Sequence, residues 1–121
     1  MNVSVYGTLK KGFRANSMMD NMNFIGESVE QLNFEMVDLG SFPALFESEE
    51  KHNITIETYE LKDNDKSTLQ RLDNYEGYPN FYDRKEITLN NGLVSNIYFI
   101  KNKSERYGSD NVVESGNWTR K

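Results

Sequence analysis

Asn2 to Tyr6 alternates polar and apolar side chains, as a strand with one buried face does. The same period of two returns from Gln31 to Leu39, where Leu32, Phe34 and Met36 share a face. It returns again from Asn53 to Leu61, with Ile54 and Ile56 together, and Gly40-Ser41-Phe42-Pro43 breaks the chain in between. Two more strand-like runs, Phe81 to Leu89 and Leu93 to Lys101, flank Asn90-Asn91-Gly92. That triplet predicts a hairpin, because Asn-Gly accepts the positive φ angles of a tight turn. Helical spacing occurs twice. Arg14 to Met22 carries Met18, Met19 and Met22, which read as flexible core filling. In DNDKSTLQRLDNYEG, Leu69, Leu72 and Tyr75 recur at helical spacing, with Asp63 or Asp65 as the N-cap and Gly77 where a helix ends in a left-handed residue. Five strands and one or two short helices, joined largely by hairpin-length connections, predict one α+β domain over residues 1–121 with a curled, mostly antiparallel sheet.

Composition narrows the chemistry. The chain has 121 residues and a formal net charge of -5, and its acids and bases are interspersed. A phosphate backbone is gripped by clustered Lys and Arg, whereas the basic side chains here are mixed with acids and reach no further than short doublets such as Lys10-Lys11 and Arg120-Lys121, so no nucleic-acid partner is expected. No apolar run approaches the roughly 20 residues that span a bilayer. The opening MNVSVYGTLKKG lacks the apolar core of a signal peptide, and zero cysteines fits a reducing compartment; the expected location is cytoplasmic. Without cysteine there is no thiol nucleophile and no thiolate metal site. The single histidine, His52, sits in the polar run SEEKHN and reads as part of a solvated loop, which leaves a Ser-His-Asp triad without a base. Asp63 and Asp65 lack the glycine that a calcium loop needs, since position 68 is Thr. The proton-transfer group of an enzyme built this way is a carboxylate, a tyrosine or a lysine.

Two segments carry candidate chemistry. In Val5-Tyr6-Gly7-Thr8-Leu9, followed by Gly12, glycine at a strand exit lets backbone N–H groups approach a ligand and form an anion-binding concavity. The GxxxxGK[ST] spacing of a phosphate loop is missing. The second segment is Leu72-Asp73-Asn74-Tyr75-Glu76-Gly77-Tyr78-Pro79, closed by Phe81-Tyr82-Asp83-Arg84. Glu76 lies there among Tyr75, Tyr78, Phe81 and Tyr82, and a partly dry aromatic surround would raise its pKa toward the range a general acid/base needs; the residues alone read equally as a solvated helix-end glutamate beside aromatics that fill core. Pairing with Arg84 would oppose that shift.

YGTLKKG, GSFPAL, LDNYEGYPNFYDR and SGNW occur in this order between Val5 and Trp118, and in order and spacing they resemble the AIG2-like γ-glutamylcyclotransferase family. The resemblance implies a small mixed, mostly antiparallel β-barrel flanked by short helices. It also implies cyclisation of the γ-glutamyl group of a small γ-glutamyl amine or amino acid to 5-oxoproline, with release of the amine and without cofactor or metal. By the same likeness Glu76 is the catalytic acid/base, Tyr6, Gly7, Thr8 and Leu9 hold the glutamyl portion, and Tyr82 lines the pocket. One departure is visible: the family usually reads Gly-Glu in its third strand, where this chain has Ile56-Glu57-Thr58-Tyr59, a β-branched residue expected near the barrel interior. The competing readings are a non-catalytic small-ligand binder on the same fold, and an interaction module lacking a pocket beside Glu76.

Overall fold

The computed structural model describes residues 1–62, 66–101 and 111–119. Its elements follow the chain as β1 (Asn2–Val5), a 3₁₀ turn (Asn16–Met19), β2 (Met22–Asp38), β3 (Pro43–Leu61), α1 (Lys66–Glu76), β4 (Asp83–Thr88) and β5 (Val94–Phe99). The candidate caps Asp63 and Asp65, and most of the polar stretch after Asn102, lie outside the described residues.

The five strands form one sheet in the order β2-β3-β1-β5-β4. All neighbours are antiparallel except β1 and β5, which run parallel with Val3 opposite Asn96 and Ser4 opposite Ile97. β1 is therefore central, and the chain leaving it at Val5 emerges in the middle of the sheet. The mixed, mostly antiparallel α+β fold is as expected, but the sheet is not closed into a barrel: β2 and β4 remain its edges. It curls instead. Phe46, early in β3, bridges to Ile100 just past β5, and the Ile100 amide donates to the Leu45 carbonyl at 2.9 Å.

Both faces of the sheet are covered, so strands at its centre read as unbroken apolar runs. Along Ile97-Tyr98-Phe99-Ile100, Tyr98 and Ile100 join a core layer with Val3, Val5, Phe46 and Leu72 of α1. Ile97 and Phe99 join the opposite layer with Phe34, Leu45, Ile54, Ile56 and Trp118. Ile56 thus fills core. The β2–β3 hairpin turns at Leu39–Phe42, where the Leu39 amide donates to the Phe42 carbonyl at 3.0 Å and Gly40 takes a φ of +114°. Asn90-Asn91-Gly92 turns as expected between β4 and β5, with Gly92 at φ +88° and Thr88 opposite Val94.

Several elements differ from their expected bounds. Arg14 to Met22 yields only the four-residue 3₁₀ turn. β2 starts at Met22 rather than Gln31, because its first half is largely exposed and carries no alternation to reveal it. β3 reaches back to Pro43, so His52 lies within a strand, half-buried opposite Leu32, and not in a solvated loop. Its Nε2 sits 3.4 Å from the Ser48 hydroxyl.

Candidate active site

Glu76 is placed by the way α1 ends. Thr68 and Leu72, one turn apart, are the buried face of the helix, and they fix its orientation on the sheet. At its C-terminus the Gly77 amide donates to the Asn74 carbonyl (3.2 Å) and the Tyr78 amide to the Asp73 carbonyl (2.8 Å). This pair of bonds is the Schellman arrangement, which needs a left-handed residue after the cap, and Gly77 supplies it at φ +71°. Glu76 is the cap residue itself. Its side chain enters a cavity of about 280 Å³ whose walls also include Tyr6, Gly7, Thr8, Leu9, Tyr82 and Tyr98. All six residues singled out from the sequence, Glu76, Tyr6, Gly7, Thr8, Leu9 and Tyr82, therefore face one space.

The loop after β1 forms the opposite wall. Its backbone hydrogen bonds run from the Lys10 amide to the Gly7 carbonyl (3.0 Å) and from the Ala15 amide to the Thr8 carbonyl (3.0 Å). None of the loop's own backbone bonds uses the amides of Gly7, Thr8 or Leu9, although all three residues are buried. Backbone N–H groups of a cavity-lining loop are candidate donors to an oxyanion or carboxylate. Gly7 is required by close approach: a Cβ there would lie 2.8 Å from Cγ of Pro43. The loop is held from behind as well. Lys10, only 3% exposed, donates from Nζ to Asn117 Oδ1 at 3.0 Å and to the Trp118 carbonyl at 2.8 Å. The SGNW segment thereby anchors the loop rather than contributing to the cavity.

Tyrosines fill the remaining walls and are fixed through their hydroxyls. Tyr82 donates to the Pro43 carbonyl (2.8 Å), and Tyr6 donates to the Tyr98 carbonyl (2.8 Å) while accepting from the Leu45 amide (3.2 Å). Thr8 Oγ1 and the Tyr75 hydroxyl are 3.0 Å apart, which links the loop to α1.

The electrostatics single out Glu76. Burial, and then the negative charge of Asp73 one turn earlier, push its carboxyl up to about 8. Arg84 does not relieve it. The guanidinium instead grips Asp73 with two bonds of 3.1 Å, and the Tyr98 hydroxyl donates to the same carboxylate at 2.7 Å. Arg84 is thus paired with Asp73, and among the described residues no ion pair reaches Glu76. Burial is also the first cause that drives the phenols of Tyr6, Tyr82 and Tyr98 up from their ordinary range, so they stay neutral. Of these groups Glu76 is the one that exchanges a proton near neutral pH. Among the described residues no three His, Cys, Asp or Glu side chains gather as metal ligands would.

Sequence reasoning passed over several members of this site. Arg14, Phe42, Pro43 and Tyr98 line the cavity, and Asp73 shapes its charge from outside. GSFPAL brings Phe42 and Pro43 in through the β2–β3 turn, a signal that the motif itself carried. Tyr98 had none, because it lies inside an apolar strand run.

Known proteins resemble this chain in family and fold over nearly its whole length. The family model "Gamma-glutamyl cyclotransferase, AIG2-like" matches residues 3–120. A protein of Methanocaldococcus jannaschii, provisionally named gamma-glutamylcyclotransferase, is 35% identical over 88 residues, covering 72% of this chain and 70% of its own length. The crystal structure of an uncharacterized Pyrococcus horikoshii protein superposes with a TM-score of 0.76 at 22% identity, over 97% of this chain and 88% of that one. The structure of a mouse AIG2-like protein gives a TM-score of 0.66 at 26% identity, over 81% of this chain and 75% of that one.

Proposed function

Because the chain belongs to the AIG2-like gamma-glutamyl cyclotransferase family, we propose that its cavity cyclises the γ-glutamyl group of a small γ-glutamyl compound to 5-oxoproline and releases the amine. The observation that carries this reading is the pairing, across one cavity, of a carboxyl raised to about 8 with a lining loop whose Gly7, Thr8 and Leu9 amides take no part in the loop's own backbone bonds. Such a pair suits a reaction in which the substrate supplies both nucleophile and electrophile.

The α-ammonium of the glutamyl group gives a proton to the Glu76 carboxylate, and the freed amine attacks the γ-carbonyl carbon. As the ring closes, negative charge develops on the carbonyl oxygen. The amides of Gly7 to Leu9 are the donors for it, and one well-placed donor contributes roughly 3 kcal/mol to such a step. The bond to the leaving nitrogen then breaks while Glu76 returns its proton there. The ring nitrogen's remaining extra proton follows by the same carboxylate, so the amine departs as an ammonium ion and total charge is unchanged. A cavity that holds the glutamyl chain bent adds a proximity contribution.

Two outcomes test this. Glu76 must be ionised to start the reaction, and its carboxyl is raised to about 8. Thus kcat/KM rises with pH through that value and levels above it, where an ordinary glutamate would already be flat. A profile flat between pH 6 and 9 would remove Glu76 from the role of base. Tyr82→Phe removes the hydroxyl that holds the Pro43 carbonyl. A neutral hydrogen bond of this kind is worth about 1 kcal/mol, so turnover falls by roughly tenfold or less. Collapse as deep as that of a Glu76 variant would make the phenol the proton carrier.

A further inference from the structure

Arg14 lines the cavity and is exposed to solvent, and its Nη2 donates to the Ser41 carbonyl at 2.9 Å. It is the one basic side chain among the described residues lining the cavity, since Arg84 is committed to Asp73 and Lys10 to the SGNW segment. A guanidinium carries five N–H donors, so the bond to Ser41 steadies the group while leaving its other donors available.

The proposed reaction fixes which part of a substrate meets this cation. Closing a five-membered ring places the glutamyl α-carbon, with its amino and carboxylate groups, inside the cavity beside Glu76 and the loop amides. The leaving amine points away from the ring and toward solvent, since it must depart. Of the described residues lining the cavity, Arg14 and Tyr75 are the exposed ones, and Arg14 carries the one positive charge. An amine leaving group without an anion would have no use for that charge, whereas an amino acid presents its carboxylate two bonds from the scissile nitrogen. Resting on the cyclotransferase reading, we infer that Arg14 is a specificity-determining residue that binds the carboxylate of the departing amino acid. The preferred substrates are then γ-glutamyl-α-amino acids rather than γ-glutamyl amines.

The test compares two ligands that differ only by this carboxylate, γ-glutamylalanine and γ-glutamylethylamide, by calorimetry on the Glu76→Gln protein, which holds ligand without turnover. γ-Glutamylalanine binds about tenfold tighter, as one partly exposed charge-assisted contact provides. Adding Arg14→Gln abolishes that preference and leaves the ethylamide affinity unchanged, while Arg14→Lys keeps part of it. A preference that survives Arg14→Gln, or equal affinities from the start, would overturn the assignment. Equal weakening of both ligands would also overturn it, placing Arg14 on the glutamyl carboxylate. Formation of 5-oxoproline by the native protein separates the two levels. Turnover of both compounds without a carboxylate preference defeats Arg14 alone, and absence of binding by either defeats the cyclotransferase reading with it.

Discussion

Glu76→Gln lowers turnover at least a hundredfold while the protein keeps its fold. The amide preserves the size of the side chain at the helix cap and the Schellman bonds around it, which are made by backbone groups of Asp73, Asn74, Gly77 and Tyr78. What it removes is proton transfer, whose loss typically costs about 10²–10⁴-fold. The same substitution has a signature in stability. Burial raises the Glu76 carboxyl to about 8, so the folded state holds its proton more tightly than the unfolded chain does. Glu76 therefore favours folding below the ordinary glutamate range and progressively less as pH rises to about 8. The glutamine protein, which does not titrate there, melts higher than the native one at pH 9, and its advantage shrinks toward pH 4. Thermal melts at the two pH values check this, and a lower melting temperature for the variant at pH 9 would show that Glu76 is not a strained, desolvated acid.

Gly7→Ala cuts kcat/KM about 10- to 100-fold by a different route. The new Cβ would sit 2.8 Å from Cγ and 2.9 Å from Cδ of Pro43, closer than real atoms pack. Pro43 cannot swing aside, because its ring is rigid and its carbonyl is held by Tyr82. The loop must therefore retreat, and it carries the amides of Gly7 to Leu9 with it. A displacement approaching 1 Å at a reacting centre is worth about 10²-fold. The pH dependence set by Glu76 stays in place, since the helix end is untouched. Steady-state kinetics across pH check both parts, and native rates for Gly7→Ala would mean the loop plays no part in binding or catalysis.

Local pattern carried far into this fold, and its failures have physical causes. Alternation located β1, and Asn-Gly located the β4–β5 turn, because each depends on neighbours in sequence. The early half of β2 escaped notice since an edge strand with exposed Phe24, Ile25 and Val29 has no buried face to imprint alternation. His52 was misplaced for the related reason that polar SEEKHN lies in an exposed part of the long β3 strand. The barrel was an expectation of likeness, and the strand order replaces it with an open, curled sheet.

The candidate site was legible where chemistry clusters along the chain, in YGTL and in LDNYEGY. It was illegible where it depends on contacts at long range. Nothing local tells that Arg84 chooses Asp73 over Glu76, yet among the described residues no ion pair reaches Glu76. Nor does Lys10 in a basic doublet reveal a buried ammonium tied to Asn117 and Trp118 across more than a hundred residues.

The most direct measurement is mass-spectrometric identification of the product from γ-glutamylalanine, with native and Glu76→Gln proteins side by side. The account predicts 5-oxoproline and alanine in equal amounts from the native protein, and at least a hundredfold less of both from the variant. Glutamate in place of 5-oxoproline would mean hydrolysis by water, and no product from the native protein would favour a ligand-binding role; either result contradicts it.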